Sequence, residues 1–398
     1  MKLGIYGGSF NPPHRGHLAA ARTAIDALGL DKLLFIPAAL PPHKALPAGT
    51  PPAQERLRLT EIAADTLLLP KQVEVSSLEL ERPGKSYTAD TLRQLRGQYP
   101  DAQLWLLVGT DMFLSLQTWR EPETIMALAG ICAFSRAHAD RDAAFAAQAE
   151  LLQKTYGAQV RVIHQPEIVE ISSTQLRERL AKGEGQEYLP PSVYGYLLRR
   201  GLYGVQADLK RLTDQQLRAC SYSMMRAKRI AHVKGTEEEA VRLAQRWGAD
   251  VEKARRAAIL HDCTKYYEME EQLKICRQYG IVLDDLEQKA VKLLHSKTGA
   301  CMARYVYGQE DDIYEAIFWH TTGKADMSLL EKILYIADYM EPTRDFPGVE
   351  RLRELAGRDL DAAVLAGCEM SIAEMAERGL PVHPNTIRAW DWLKHQKG

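Results

Sequence analysis

The chain opens with MKLGIYGGSFNPPHRGH (residues 1–17), and this stretch decides the fold of its first half. Apolar residues ahead of Gly7 and Gly8 predict a short strand, and the run from Leu18 to Leu28 predicts a helix just beyond the turn. A strand, a glycine turn and a helix start together present backbone N–H groups to an anion. Because Gly7 and Gly8 lack Cβ atoms, a phosphate can approach the backbone closely.

Two histidines, His14 and His17, follow this turn at i,i+3 spacing and so share one helix face. Their imidazoles can donate hydrogen bonds to charge that develops on a phosphoryl group. The stretch has neither the G-x-G-x-x-G of dinucleotide-binding folds nor the G-K-[ST] of P-loops, which weakens both of those interpretations. The alternative, a plain βα unit with two surface histidines, leaves the coincidence of these residues unexplained.

Short β-like runs alternate with helical periods as far as residue 203. This pattern predicts an α/β, Rossmann-like parallel sheet covered by helices, with ligands at the carboxyl ends of the strands. The predicted strands are Leu3–Tyr6, Lys32–Ile36, Gln72–Leu78, Leu104–Val108, Ile131–Ser135 and Gln159–His164.

Further polar motifs fall at the same edge of the predicted sheet. The loop PPHK ends in Lys44, RPGKSYT leads into a helix at Thr88, and VGTD supplies Asp111. ISSTQLR places Ser173 at a helix start and Arg177 one turn later, which is a second candidate phosphate clamp. Considered alone, Arg177 is as expected for a residue on a solvated helix face. Trp119, considered alone, fits a core or interface aromatic as well as it fits a site residue.

Taken together, these motifs carry a family resemblance. GGSFNPPHRGH resembles the signature of the nucleotidyltransferase superfamily, and the later motifs, in this order, resemble bacterial nicotinate-mononucleotide adenylyltransferase over residues 1–203. The resemblance implies transfer of AMP from ATP to nicotinate mononucleotide with Mg²⁺, giving deamido-NAD and pyrophosphate. It implies that Gly7, Gly8, Ser9, His14, His17, Ser173 and Arg177 serve the ATP phosphates, that Lys44, Thr88 and Trp119 face the nicotinate nucleotide, and that Asp111 lies near the adenosine.

From Leu209 onward the β-like runs give way to helical periods, so we predict an all-α second domain over residues 213–398, joined by a linker at 204–212. Its polar residues at helical sites include His261 and Asp262 behind an apolar AAIL run, and Asp338 behind ILYIA. Buried polar groups of this kind are costly unless they are paired or bind metal. The candidate ligands are His232, His261, Asp262, His295, His320 and Asp338.

The donor set consists of nitrogen and oxygen atoms, with no cysteine, which favours an open catalytic site over a closed structural zinc site. Six ligands exceed the usual share of one ion, so two divalent ions that share Asp262 are expected. A single histidine such as His232 or His295 is, by itself, more often a satisfied helix residue than a ligand.

The pattern H…HD…H…H…D resembles the HD-domain phosphohydrolases. LHDCTK, HTTG and IADYMEP resemble most closely the YqeK-type symmetrical diadenosine-tetraphosphate hydrolases, which use iron and release two ADP. This resemblance implies that Asp262 bridges the metals and that Lys265 lies near the phosphates. Val233 departs from the serine that is frequent there, which bears on substrate contacts more than on metal binding.

Composition limits the remaining classes. Hydrophobic residues make up 46% and charged residues 26%, and the formal net charge is −1, with neither half basic, so a nucleic-acid partner is not expected. No apolar run approaches the roughly 18 residues of a membrane helix, and no secretory signal is apparent. The six cysteines form no C-x-x-C pair, which fits a reducing cytoplasm. A homo-oligomer is compatible with the sequence.

The leading hypothesis is therefore a bifunctional cytoplasmic enzyme. Two alternatives concern the second half: hydrolysis of another nucleotide or phosphodiester, or nucleotide sensing without turnover. A further hypothesis links the two halves: both sites handle adenine nucleotides joined through phosphates, and the adenylyltransferase would form such compounds as by-products.

Overall fold

The computed structural model describes residues 1–42, 45–135, 139–164 and 171–396. The chain divides into two compact units, Met1–Gln206 and Ala207–Gly398. The first contains a sheet, whereas the described part of the second is built from helices.

Six strands form the sheet of the first unit in the order β3-β2-β1-β4-β5-β6, and each neighbouring pair is parallel. In the fourth strand, every residue from Leu104 to Val108 is buried, as expected where helices cover both faces of a sheet. The strand order reverses between β1 and β4, and such a switch point opens a crevice at the carboxyl ends of the strands. The strands are β1 (Lys2–Gly8), β2 (Lys32–Pro37), β3 (Val73–Val75), β4 (Gln103–Val108), β5 (Ala129–Ser135) and β6 (Val160–His164).

Helices connect these strands. The α-helices of the first unit are α1 (Arg15–Leu28), α2 (Ala53–Asp65), α3 (Thr88–Gln98), α4 (Thr110–Leu114), α5 (Pro122–Leu128), α6 (Ala139–Tyr156), α7 (Ser173–Leu180) and α8 (Pro191–Arg200). Short 3₁₀ turns lie at Leu116–Thr118, Gln186–Tyr188 and Leu202–Gly204.

The second unit is a set of packed helices. They are α9 (Asp214–Tyr222), α10 (Ala227–Trp247), α11 (Val251–Leu260), α12 (Met269–Gln278), α13 (Val291–Cys301), α14 (Asp311–Trp319), α15 (Leu329–Met340), α16 (Val349–Arg358), α17 (Leu360–Glu377) and α18 (Pro384–His395). Turns of 3₁₀ helix occur at Leu209–Arg211 and Glu287–Lys289, and a π-helical turn at Met302–Val306 follows α13. Within the described residues of the whole chain, no helix combines the length and the apolar character that a bilayer crossing requires.

These elements confirm the predicted fold class, a parallel α/β unit followed by a helical one. The other strand bounds agree with prediction to within two residues, whereas two elements each have one bound that differs by three residues. The third strand covers Val73–Val75 rather than Gln72–Leu78, because it is an edge strand that pairs with β2 over only three residues. Helix α1 begins at Arg15 rather than Leu18, because His14 caps its first turn.

Candidate active sites

A cavity of about 430 Å³ lies at the switch point of the sheet. Gly7 and Gly8, at the end of β1, form part of its wall, and so do Val108 and Gly109 at the end of β4. This is the position at which doubly wound sheets bind nucleotides. The glycine turn therefore exposes its backbone to the cavity, as the sequence predicts.

The two histidines of this turn cap helix α1 reciprocally. The backbone N–H of Gly16 donates to Nδ1 of His14 at 3.2 Å, and the backbone N–H of His14 donates to Nδ1 of His17 at 3.1 Å. Since each Nδ1 accepts a hydrogen bond, the proton of each neutral ring lies on Nε2. Burial lowers the pKa of His17 well below its usual range, and the charge of His14 adds to this shift. His17 is therefore a neutral Nε2–H donor in the cavity wall.

A second helix start contributes to the same cavity. Ser172 caps α7 through a capping box with Gln175, and Ser173 and Arg177 of this helix line the cavity. One guanidinium nitrogen of Arg177 donates to the carbonyl of Asn11 at 2.8 Å. Arg177 thus lies against the turn that carries the histidines, so two helix N-termini and one arginine face the cavity from two parts of the chain.

A buried arginine donates hydrogen bonds to the backbone next to the glycine turn. Arg56 on α2 is 1% exposed, and it donates to the carbonyl of Ser9 at 2.7 Å. Its other terminal nitrogen donates to the carbonyls of Ala38 and Ala39 at 2.7 and 3.1 Å. Arg56 therefore ties the end of β1 to the loop that follows β2, which are two walls of the cavity.

In the second unit, six polar side chains from five helical regions meet in one buried cluster. His232 lies on α10, His295 on α13 and Asp338 on α15, whereas His261 and His320 are the C-caps of α11 and α14. Asp262 follows His261 and is completely buried. Three overlapping groups of these atoms, each within 4.8 Å, have the ligand types and the spacing to hold a metal ion.

The two oxygens of Asp262 divide this cluster into two sets. Oδ1 lies 3.1 and 3.9 Å from Nε2 of His295 and His320. Oδ2 lies 3.8 and 3.6 Å from Nε2 of His232 and His261. Asp338 Oδ1 completes the second set, at 2.8 Å from His232 and 3.6 Å from His261. One carboxylate thus faces two pairs of imidazole nitrogens, one pair on each oxygen, as a bridging ligand would.

The imidazoles of this cluster have the opposite tautomer to those of the glycine turn. Each Nδ1 lies within 3.0 Å of an oxygen and donates to it: Glu341 for His232, and the carbonyls of Ala258, Lys292 and Ile317 for His261, His295 and His320. The Nε2 atoms therefore present lone pairs, and they lie only 3.3 Å apart for His232 and His261, and 3.2 Å apart for His295 and His320. Oδ1 of Asp262 is buried and receives no hydrogen bond. A buried carboxylate oxygen that receives no hydrogen bond suits a cation.

The pKa shifts in the cluster also favour binding of a cation. Burial would raise the pKa of Asp262, but its contacts with His261, Lys265 and His295 outweigh this effect, and the pKa lies well below its usual range. For Asp338, the opposing effect of burial is outweighed by the proximity of His232 and His261, and its pKa also lies well below its usual range. Burial is the main cause that lowers the pKa of His295 and His320, and the charge of Lys265 adds to the shift of His295. Ionised carboxylates and neutral imidazoles are the states that bind divalent metals.

Two cations lie beside these ligands. Nζ of Lys265 is 3.3 Å from Asp262 Oδ1 and 3.1 Å from His295 Nε2. Nε of Arg229 donates to Asp262 Oδ2 at 2.6 Å. One cation therefore lies beside each oxygen of Asp262.

Comparisons with known proteins separate the two units. Residues 5–179 match the cytidylyltransferase-like family model, and residues 229–343 match that of the HD domain. A probable nicotinate-nucleotide adenylyltransferase of Thermus thermophilus is 38% identical over 204 residues, which are 51% of this chain and 100% of the relative. The symmetrical bis(5′-nucleosyl)-tetraphosphatase of Bacillus subtilis is 36% identical over 183 residues, which are 46% of this chain and 98% of the relative.

The chain belongs to both of these enzyme families. The adenylyltransferase family accounts for its N-terminal part and the tetraphosphatase family for its C-terminal HD part, so the chain combines two enzymes. A crystal structure described as a predicted HD superfamily hydrolase involved in NAD metabolism, from Clostridium acetobutylicum, is 39% identical and covers 46% of this chain and 98% of its own, with a TM-score of 0.45.

The structure places most of the candidate residues of the adenylyltransferase unit around one cavity. Asp111 is exposed in the first turn of α4 and does not line the cavity, although its neighbours Gly109 and Met112 do. His14 lies behind His17, with ring centroids 3.8 Å apart. Lys44 lies outside the described residues. The candidate residues that line the cavity are Gly7, Gly8, Ser9, His17, Thr88, Trp119, Ser173 and Arg177.

Sequence reasoning missed three residues around the sites. Arg56 could have been noticed as a charged residue among the apolar positions of α2, where Leu59 and Ala63 are buried. Arg229 precedes His232 by one helical turn, and Glu341 follows Asp338 by three residues. Both spacings place a charged side chain near a ligand, but neither identifies its contact.

Proposed function

We propose that the first unit transfers AMP from ATP to nicotinate mononucleotide, giving deamido-NAD and pyrophosphate, and that the second hydrolyses diadenosine tetraphosphate to two ADP. Residues 1–203 would carry the transfer and residues 213–398 the hydrolysis, with 204–212 as the linker. The observation that carries the second activity is the division of nitrogen ligands between the two oxygens of one buried aspartate. For the first activity, it is the cavity at the switch point with two helix starts in its wall.

In the transfer reaction, the mononucleotide phosphate would attack the α-phosphorus of ATP in line with the departing pyrophosphate. The backbone of Gly7 and Gly8 and the N-terminus of α7 would hold the phosphates, while His17 and Arg177 stabilise the charge that develops on them. Trp119 would stack on the pyridine ring. No covalent intermediate is needed, because alignment and electrostatic stabilisation supply the catalysis.

Further contacts to the two nucleotides follow from the family resemblance. Ser9 and Ser173 would add hydroxyl or backbone donors to the phosphates, with His14 supporting His17 from behind. Thr88 would contact the nicotinate nucleotide, and Lys44 is proposed for the same role. Asp111, next to the cavity wall, would approach the adenosine. Mg²⁺ would accompany ATP.

In the hydrolysis reaction, His232, His261 and Asp338 would hold one divalent ion, and His295 and His320 a second, with Asp262 between them. Such ions, which we propose to be iron, supply Lewis-acid chemistry that polarises phosphoryl oxygens and acidifies water. Lys265 and Arg229 would bind the polyphosphate, because both are cations beside the ligand cluster. Symmetrical cleavage would release two ADP when water attacks one of the two central phosphorus atoms and the bridging P–O bond to the other central phosphate breaks.

Two variants separate the activities. His17→Ala removes the cavity donor and should abolish adenylyl transfer while hydrolysis continues. Asp262→Ala removes the shared ligand and should abolish metal binding and hydrolysis while transfer continues. Each variant serves as the folding control of the other, since its unaffected unit must remain active. Loss of both activities in either variant, with the far-ultraviolet circular dichroism spectrum unchanged, contradicts the separation of sites.

Element analysis of the purified chain, combined with product analysis on diadenosine tetraphosphate, tests the hydrolase directly. About two iron or manganese ions per chain and ADP as the sole product support the proposal. Metal without ADP production favours another phosphate substrate. Nucleotide binding without turnover, in a chain reloaded with Fe²⁺ or Mn²⁺ under anaerobic conditions, favours the sensing alternative.

A further inference from the structure

Glu341 is a buried acid whose contacts converge on one histidine of the HD cluster. It follows the end of α15 and is 0% exposed. Its Oε1 lies 3.0 Å from Nδ1 of His232. The backbone N–H of Thr343 donates to Oε2 at 2.7 Å, and the Thr343 hydroxyl donates to Oε1. Donors therefore approach both carboxylate oxygens, which fixes the orientation of the group.

Among the four histidines of the cluster, His232 is the one whose Nδ1 meets a carboxylate rather than a backbone carbonyl. His261, His295 and His320 each donate the Nδ1 proton to a carbonyl three residues earlier in the sequence. His232 is in the interior of α10, and its Nδ1 instead meets a carboxylate 109 residues away in sequence. A carboxylate is a stronger acceptor than a carbonyl, and it raises the basicity of a ligand histidine.

A glycine in the same helix makes room for this contact. A Cβ atom at Gly235 would lie 2.4 Å from Oε2 of Glu341 and 3.1 Å from Cδ of Pro342. Glycine inside a helix costs about 0.5–1 kcal/mol relative to alanine. The helix thus contains an unfavourable residue at the point where any side chain would displace Glu341.

From these contacts we infer that Glu341 is a positioning residue, which holds His232 in the tautomer that presents its Nε2 lone pair to a metal ion. The inference rests on the proposed metal centre and adds a residue outside its six ligands. It concerns one half of the centre, the His232, His261 and Asp338 set. The set around His295 and His320 has its own hydrogen-bond partners and does not depend on Glu341.

Glu341→Gln is the informative substitution, because it is isosteric and removes one acceptor. The amide has a single oxygen, whereas His232 Nδ1–H and the Thr343 N–H both require acceptors. If the NH₂ group faces His232, the ring must move its proton to Nε2, which blocks metal binding. We expect the metal affinity of this half to fall by about 10–100-fold.

Calorimetric titration of the metal-stripped full-length chain with Mn²⁺, followed by element analysis, measures each half of the centre. The wild type should bind two ions, and Glu341→Gln should bind one with unchanged affinity and the other 10–100-fold more weakly. Gly235→Ala should do the same. Glu331→Gln is the matched control, since Glu331 is a buried acid on α15 that pairs with Lys324 and contacts no ligand of the cluster. Gly357→Ala is the control for the glycine, because a Cβ there meets nothing within 4 Å.

The outcomes are distinct. If Glu341→Gln binds both Mn²⁺ ions with the affinities of the wild type, the inference is overturned and the proposed metal centre stands. If the affinities for both Mn²⁺ ions fall equally, Glu341 acts through the general stability of the fold, and the inference is also overturned. A wild-type chain that binds no Mn²⁺ overturns the proposed metal centre itself, and the inference with it.

Discussion

Arg56→Met is the substitution that best tests how the first unit holds its glycine turn. Methionine retains much of the aliphatic stem of arginine but removes the three hydrogen bonds to Ser9, Ala38 and Ala39. Hydrogen bonds from a charged group contribute about 1.5–3 kcal/mol each, so the gross loss is roughly 5–9 kcal/mol. Removing a buried charge offsets part of this loss. We expect a net decrease in the free energy of unfolding of about 3–5 kcal/mol, the range for breaking a buried charged contact.

Arg58→Met provides the matched control on the same helix. Arg58 is half-exposed and pairs with Glu61 at 2.9 Å, also on the surface. An exposed pair of this kind contributes about 0–1 kcal/mol. Urea unfolding monitored by hydrogen exchange of peptides from β1 and β2 reports on the first unit separately. These peptides should lose protection at lower urea concentration in Arg56→Met than in Arg58→Met.

Function provides a second measurement for the same pair of variants. Ser9 follows the glycine turn and lines the cavity, so release of its carbonyl should raise the KM of adenylyl transfer for ATP. Arg58→Met should leave this KM unchanged. If both variants unfold at the same urea concentration and have the same KM, Arg56 does not fix the turn, and the structural reasoning is refuted.

Three further predictions concern other parts of the chain. A Cβ at Gly7 meets no atom within 4 Å, so Gly7→Ala should leave the melting temperature unchanged but raise the KM for ATP at least tenfold. Gly97→Ala, whose Cβ is equally unhindered but lies outside the cavity, should leave this KM unchanged. An unchanged KM in Gly7→Ala would place the phosphates elsewhere. Burial would raise the pKa of Glu287, but contacts with His383 and Lys297 hold it at about 2. Glu287→Gln should therefore lower the free energy of unfolding at pH 7 by about 3 kcal/mol, whereas Asp285→Asn, at an exposed neighbouring position, should not lower it. Because the folded-state pKa is depressed, this difference should be complete above pH 4.5 and disappear as the pH falls to 2, and a difference that is constant with pH would contradict it. Stripping divalent ions should destabilise the second unit by about 4 kcal/mol relative to saturation at 1,000 times Kd, and a melting temperature independent of added Mn²⁺ would contradict metal binding there.

Local patterns were sufficient for the fold and for the residues that share one helix face or one turn. Gly7, Gly8 and His17 lie within one βα unit, so their spacing alone predicts that they meet at the sheet edge. His261 and Asp262 adjoin an apolar run, which marks them as buried polar groups. In both cases, the signal is a conflict between residue type and environment that can be read over a few positions.

Contacts between distant parts of the chain left no such pattern. Arg56 meets Ser9 across 47 residues, and Glu341 meets His232 across 109. Asp111 shows the reverse: its position in a motif suggested a site contact, yet α4 directs it to solvent. His14 as an N-cap was also not predictable, because serine, threonine, aspartate and asparagine are the usual residues there.

The two clusters show how backbone geometry decides what a histidine can do. In the glycine turn, backbone N–H groups at a helix start donate to Nδ1 of His14 and His17, which leaves Nε2–H as a donor toward an anion. In the HD cluster, carbonyls and Glu341 accept from Nδ1, which leaves Nε2 as a lone pair toward a cation. Helix N-termini have unpaired donors and helix C-termini have unpaired acceptors, so a histidine at either end is held in the matching tautomer. His232 and His295 lie within helices and take the same state by different routes: His295 donates to the carbonyl of Lys292, whereas His232 donates to a carboxylate from another element.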